Sequence, residues 1–172
     1  TTAQASVPHI LFVDDEHLLH TLFERLFSRH GMRLTSCSNA LQAIEALKKT
    51  SFDLVITDFK MPDMDGLELL AYIRQEHPDL QVIMITAHAN VQHAVRAMQN
   101  GAIDYIPKPF ATEELVERVR AALARRQERR EGAPFAAHAR RATRRWAIEY
   151  VGEHPSIQQL KTMLPRVAAN KA

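Results

Sequence analysis

Val55-Ile56-Thr57-Asp58-Phe59-Lys60-Met61-Pro62-Asp63-Met64-Asp65-Gly66 is the stretch on which the fold turns. An apolar run ends in a carboxylate, a Pro/Asp/Gly turn follows, and a helix starts near Gly66. That order is the strand-turn-helix unit of a parallel sheet, where ligands collect beyond the carboxyl ends of the strands. Asp58 is therefore the first candidate for a reactive side chain.

Working outward, Ile10-Leu11-Phe12-Val13 is a second apolar run, closed by Asp14 and Asp15. Parallel strands buried on both faces read as such runs, so these two acids belong at the matching end of a neighbouring strand. Three carboxylates brought together at low effective dielectric repel strongly, and a hard cation such as Mg²⁺ is the natural way to neutralise them. Thr86 follows Val82-Ile83-Met84-Ile85, and Lys108 follows Ile103-Asp104-Tyr105-Ile106, each just past a strand. Taken singly, each has a plainer reading. Asp14 and Asp15 would cap a helix, Thr86 would sit in a turn, Lys108-Pro109 would be a solvated turn, and Tyr105 a packed strand aromatic. Their conjunction, in order along the chain, favours a site.

Between these strands the apolar residues recur at helical spacing. Leu18, Leu19, Leu22, Leu26 and Phe27 run until Gly31, and Met32 to Ser36 reads as a short strand. A second helix starts at Ala40 with Leu41, Ile44 and Leu47 expected inward. The third carries Leu67, Leu70 and Ile73 and stops before His77-Pro78, because proline disfavours helical geometry in the residue before it. Asn90 caps a fourth helix with Val91, Ala94, Val95 and Met98, ended by Gly101. Thr112, Glu113 and Glu114 open a fifth, with Leu115, Val116, Val119 and Leu123 toward the sheet. Five strands alternating with five helices predict an α/β fold, a doubly wound parallel sheet covered on both sides.

Asp14-Asp15, Asp58 with its Met61-Pro62 and Asp65-Gly66 turn, Thr86-Ala87, and Lys108-Pro109-Phe110 together resemble the receiver domain of two-component response regulators. The resemblance implies a flavodoxin-like (CheY-like) sheet of order 2-1-3-4-5 over residues 9–131 and a cis peptide before Pro109. It implies that Asp58 accepts a phosphoryl group from a sensor histidine kinase, with Mg²⁺ held by Asp14, Asp15, Asp58 and the backbone carbonyl of Lys60. Lys108 would add positive charge, and Thr86 and Tyr105 would form the switch. The face made by the fourth helix, fifth strand and fifth helix is then the expected homodimer or partner surface. Lys60 and His88, each two residues past a site residue, are expected to flank the path of the hydrolytic water. The domain would catalyse only its own phosphorylation and dephosphorylation. A stand-alone, phosphorylation-dependent interaction module is the alternative.

The chain of 172 residues, 46% of them hydrophobic, suits one domain with an appendage. Its single cysteine, Cys37, excludes an internal disulfide, and no apolar run reaches the length of a membrane span, so the expected location is cytoplasmic. The nine histidines show no metal-ligand spacing, and neither a Gly-rich phosphate loop nor a Ser/His/Asp pattern stands out. Charge is uneven: residues 1–110 hold 9 Lys/Arg against 13 Asp/Glu, and residues 111–172 hold 13 against 7.

Residues 1–8 read as a leader. After Leu123 the apolar stripe of the fifth helix fades, and Gly132 and Pro134 mark a break. Residues 132–150, with Arg140, Arg141, Arg144 and Arg145, read as a basic, helical or partly disordered linker. Residues 151–172 contain Val151-Gly152-Glu153-His154-Pro155 before an amphipathic segment. They resemble the opening of the AAA+ ATPase domain of NtrC-type, sigma-54-dependent activators, with Pro165 and His154 as departures from that pattern. The expectation is a fragment of a transcriptional regulator that would reach DNA and RNA polymerase only through C-terminal domains beyond this sequence.

Overall fold

Residues of the central strands alternate between two apolar layers, which is why the strands at residues 9–13, 54–58 and 81–86 are apolar along most of their length, whereas the edge strand of residues 33–37 is largely polar. The computed structural model describes residues 7–130, and the linker at 132–150, the ATPase-like stretch at 151–172 and most of the leader lie outside the described residues. The strands are β1 (His9–Val13), β2 (Arg33–Cys37), β3 (Leu54–Asp58), β4 (Gln81–Thr86) and β5 (Asp104–Pro107). All neighbours pair parallel in the order β2-β1-β3-β4-β5, as the resemblance implied. Leu11, Val13, Val55, Val82, Met84 and Tyr105 point into one layer, and Ile10, Phe12, Leu54, Ile56, Ile83, Ile85 and Ile106 into the other.

The helices are α1 (His17–Arg29), α2 (Ala40–Lys49), α3 (Gly66–Glu76), α4 (Val91–Gln99) and α5 (Thr112–Arg130). The first layer is closed by α2, α3 and α4, and the second by α1 and α5. Parallel strands need such crossovers, and the right-handed preference of βαβ units places them on both faces of an open sheet.

Three helix faces differ from the spacing-based expectation. Leu41 is exposed rather than inward, and α2 meets the sheet through Ala40, Ala43 and Leu47. Steps of three residues fall about 60° short of a full turn each time, so Leu41 and Leu47 cannot share a face. In α1 the buried residues are Phe23 and Phe27, while Leu18 (88% exposed) and Leu22 (50%) face solvent. In α4 the small residues Ala94 and Ala97 are the buried ones, with Val95 only half-buried.

Local chemistry sets the turn after β3. Asp65 is the N-cap of α3, its side chain accepting from the Glu68 N–H while Glu68 accepts from the Asp65 N–H, a full capping box. Gly66 is required by proximity: a Cβ there would lie 2.3 Å from the Asp58 carbonyl oxygen and 2.7 Å from the Met84 side chain. Asp63 adopts φ 69°, a left-handed conformation that short polar side chains tolerate. These features hold the start of α3 directly against the end of β3.

Candidate functional site

Asp14 immediately follows β1, Asp58 ends β3, Thr86 ends β4, and Lys108 follows β5, so register alone brings all four to one edge of the sheet. Asp14, Asp15 and Asp58 offer carboxylate oxygens that all lie within 4.8 Å of one another. Asp14 is fully buried and Asp58 is 8% exposed, whereas Asp15 opens to solvent.

The backbone holds each acid in place. Asp14 Oδ1 accepts the Glu16 N–H at 2.8 Å, its N–H donates to the Cys37 carbonyl at 3.1 Å, and its own carbonyl is met by His20 Nε2 at 2.6 Å. Asp14 and Asp15 do not cap α1: the N-cap position is Glu16, without a side-chain cap bond. Asp58 Oδ1 accepts the Phe59 N–H at 2.8 Å.

Lys108 is the cation that ties the cluster together. Its Nζ lies 2.9 Å from Asp14 Oδ2, 3.2 Å from Glu16 Oε1 and 3.9 Å from Asp58 Oδ2. Burial acts to lower its pKa but is outweighed by the bond to Asp14, the charges of Asp14 and Asp58 and the bond to Glu16, so the ammonium is held above its usual value. One cation does not balance these acids. Burial, with Asp14 and Asp15 adding to it, pushes Asp58 from 3.8 to about 6 against the opposing pull of Lys108 and the Phe59 N–H.

Thr86 is fully buried, its Oγ1 accepting the His88 N–H at 3.1 Å and its carbonyl accepting the Lys108 N–H at 2.7 Å. The Lys108-Pro109 peptide is cis, as the resemblance implied. Tyr105 lies on β5 with 2% exposure, outside the acid cluster. Burial pushes its phenol up, opposed by the Thr86 side chain and the Asn90 backbone and helped by the charge of Asp58. Lys60, in the turn after β3, and His88, in the loop after β4, both carry exposed side chains. On one side of β5 stands α4, on the other α5, so the three elements share the end of the molecule beside β4.

Sequence reasoning missed Glu16 and His20. Glu16 follows Asp15 directly and is found only because Lys108 reaches it across 92 positions. His20 is the fourth residue of α1 and bonds a backbone atom, for which no sequence pattern exists.

A family model described as the response regulator receiver domain matches residues 10–120. The DNA-binding transcriptional regulator NtrC of Escherichia coli K12 is 36% identical over 156 residues, covering 91% of this chain and 32% of that protein. The response regulator protein PilR of Pseudomonas aeruginosa is 34% identical, covering 94% of this chain and 34% of its own length. The chain thus spans about a third of the length of these curated relatives. Among solved structures, the signal receiver domain of a putative LuxO repressor from Vibrio parahaemolyticus superposes with a TM-score of 0.70 at 29% identity, covering 74% of this chain and 99% of that one. The beryllofluoride-activated NtrC4 receiver domain dimer gives 0.66 at 29% identity, covering 69% and 98%. No described helix is long and apolar enough to cross a membrane.

Proposed function

Because the chain belongs to the response regulator receiver family, we propose that Asp58 accepts a phosphoryl group from a phosphohistidine on a sensor kinase, or from a small acyl phosphate. The observation that carries this reading is the placement of Asp58 at the open edge of the sheet, 3.9 Å from a lysine and within 4.8 Å of two further carboxylates. A carboxylate is a weak nucleophile, so the site's work is positioning and charge neutralisation. A carboxylate oxygen of Asp58 forms a bond to phosphorus as the donor's N–P or acyl O–P bond breaks. The leaving imidazole or carboxylate departs with that bond's electron pair, the imidazole taking a proton from solvent.

The donor set is all oxygen and carries excess negative charge, which fits a hard divalent cation and suits Mg²⁺. Asp14, Asp15, Asp58 and the Lys60 carbonyl would hold it, and when bound it supplies charge neutralisation for carboxylates and phosphoryl oxygens. Lys108, already anchored by Asp14 and Glu16, faces the incoming group and stabilises its oxygens. The Thr86 hydroxyl exchanges its contact with the His88 N–H for a bond to a phosphoryl oxygen, and the adjoining loop and Tyr105 follow. Lys60 and His88, exposed on the two flanking loops, tune access of the hydrolytic water.

The output reading follows the relatives. The face of α4, β5 and α5 serves a homodimer, residues 9–131 form the receiver, 132–150 a basic linker, and 151–172 open an ATPase domain of a sigma-54-dependent transcriptional activator. The similarity to NtrC and PilR favours this over a stand-alone interaction module.

Intact mass after incubation with acetyl phosphate tests the chemistry. Wild type with Mg²⁺ gains one phosphoryl adduct, while Asp58→Ala, or wild type in chelator, gains none. An adduct on Asp58→Ala, or none on wild type beside a receiver that labels, would overturn the assignment.

A further inference from the structure

We infer that His93 is a positioning residue that couples the acceptor to α4 through an aromatic stack on Phe59, a route that does not pass through Thr86. The inference rests on the reading of Asp58 as phosphoacceptor. Phe59 is the residue directly after Asp58, and its backbone is held on every side. Its N–H is shared between Asp58 Oδ1 at 2.8 Å and the Ile85 carbonyl at 2.9 Å, and its carbonyl accepts the Gly66 N–H at 2.9 Å. Any change at the Asp58 carboxylate therefore acts first on the Phe59 peptide.

The Phe59 ring carries that change outward. It is 6% exposed and lies flat against the His93 imidazole, with centroids 4.3 Å apart and planes 18° from parallel. Tyr105 meets it edge-on at 6.5 Å and 79°. Phe59 is thus gripped by α4 through one ring and β5 through another, two of the three elements of the proposed output face. Aromatic pairs have preferred relative geometries, so a displaced ring drags its partner more stiffly than an aliphatic contact would.

Two observations place His93 there for its ring rather than for a hydrogen bond. Its Nδ1 is buried and has no hydrogen-bond partner among the described residues, so no polar contact at that atom is seen to set the imidazole's position. Its backbone N–H is already used by the Asn90 N-cap at 2.8 Å, which ties the imidazole to the first turn of α4. The fully buried contacts of α4 come from Ala94 and Ala97, small side chains that let a helix slide. The stack is what grips its N-terminal end. When Asp58 becomes an acyl phosphate, charge leaves the oxygen facing the Phe59 N–H, that N–H turns toward Ile85, and ring and helix shift together.

Amide spectra of the full chain, without and with beryllofluoride and Mg²⁺, test this alongside intact mass after acetyl phosphate. In His93→Ala and His93→Gln the adduct on Asp58 forms to within about twofold of wild type, while the induced shifts at Ala94, Ala97 and Met98 fall below about half. His93→Phe, which restores a flat ring, returns them above that level. Shifts of half or more in either ringless variant, no rescue by His93→Phe, or a wild-type α4 that does not respond would each overturn the coupling. Failure of wild type to form any adduct would instead remove the phosphoacceptor reading beneath it.

Discussion

The two ends of the sheet both bury charge, and they resolve it in opposite ways. At the carboxyl ends of the strands Asp14, Asp15, Glu16 and Asp58 gather around Lys108. At the amino ends Asp53 is served by the His9 N–H at 2.9 Å and by Arg126 from α5, and Asp104 by Arg118 of the same helix at 2.8 Å. His9 is buried there, its Nε2 paired with Thr35 Oγ1 at 2.8 Å, its Nδ1 facing Arg33 Nη2 at 2.9 Å, and its ring 4.4 Å from Phe52. One end leaves acids in excess of cations; the other gives each of these acids its own donors. Unbalanced charge is tolerated where a ligand is to neutralise it, and balanced charge serves to tie elements together.

The largest effect that would break this contrast is removal of the cation at the acid-rich end. Lys108→Met leaves the fully buried Asp14 carboxylate without its partner, and loss of one member of a buried pair costs about 3 kcal/mol. Denaturant unfolding near neutral pH in chelator should show that loss, and adding Mg²⁺ should recover part of it. An unchanged midpoint would mean that the acid cluster is less strained than its geometry indicates.

Removing an acid from the same end should act in the other direction. The folded state holds the Asp58 proton more tightly than the unfolded chain, with a pKa of about 6 against 3.8, so ionisation opposes folding. The penalty is absent below about pH 4, grows through the interval, and is complete above about pH 6. Because the cluster's mouth opens to water beside Asp15, screening reduces the cost, and Asp58→Asn should be more stable than wild type by about 1–2 kcal/mol at pH 7.5 in chelator. The two proteins should converge toward pH 4. A variant less stable than wild type at pH 7.5 would put the acid excess in doubt.

The smallest effect sharpens the comparison at the opposite end. Burial, helped by Arg33 and opposed by Asp53 and the Ser51 backbone, holds the His9 pKa below 6.5. The folded state keeps this ring neutral while the unfolded chain takes up a proton, so its contribution is present above pH 6.5 and is lost as pH falls below it. Thermal unfolding of His9→Gln should show a shallower decline on the acid side than wild type. Wild type should therefore carry two opposing slopes below pH 6.5, one from each end, and the two variants should each remove one.

Much of this was legible in the residues. The apolar runs before Asp14, Asp58 and Thr86 each became a buried strand, and Asp65, Asn90, Gly31 and Gly101 stop or start helices where turn chemistry places them. Those signals are local: propensity, capping and proline or glycine geometry act within a few residues. Helix faces were legible less well. Leu18, Leu22 and Leu41 look like core residues by type, yet their helices turn aromatic or small side chains to the sheet, because fit against neighbouring strands decides the rotation.

The sequence by itself determined the strand-helix alternation and the gathering of Asp14, Asp58, Thr86 and Lys108 at one edge, since a residue just past a strand emerges at the same edge of a parallel sheet as its counterparts. Only the tertiary structure decided that Lys108 would reach Glu16, that Arg126 would return to Asp53, and that His93 would lie on Phe59. Those contacts join residues 34 to 92 positions apart, and no periodicity or cap encodes a meeting that exists only once helices have docked on both faces of the sheet.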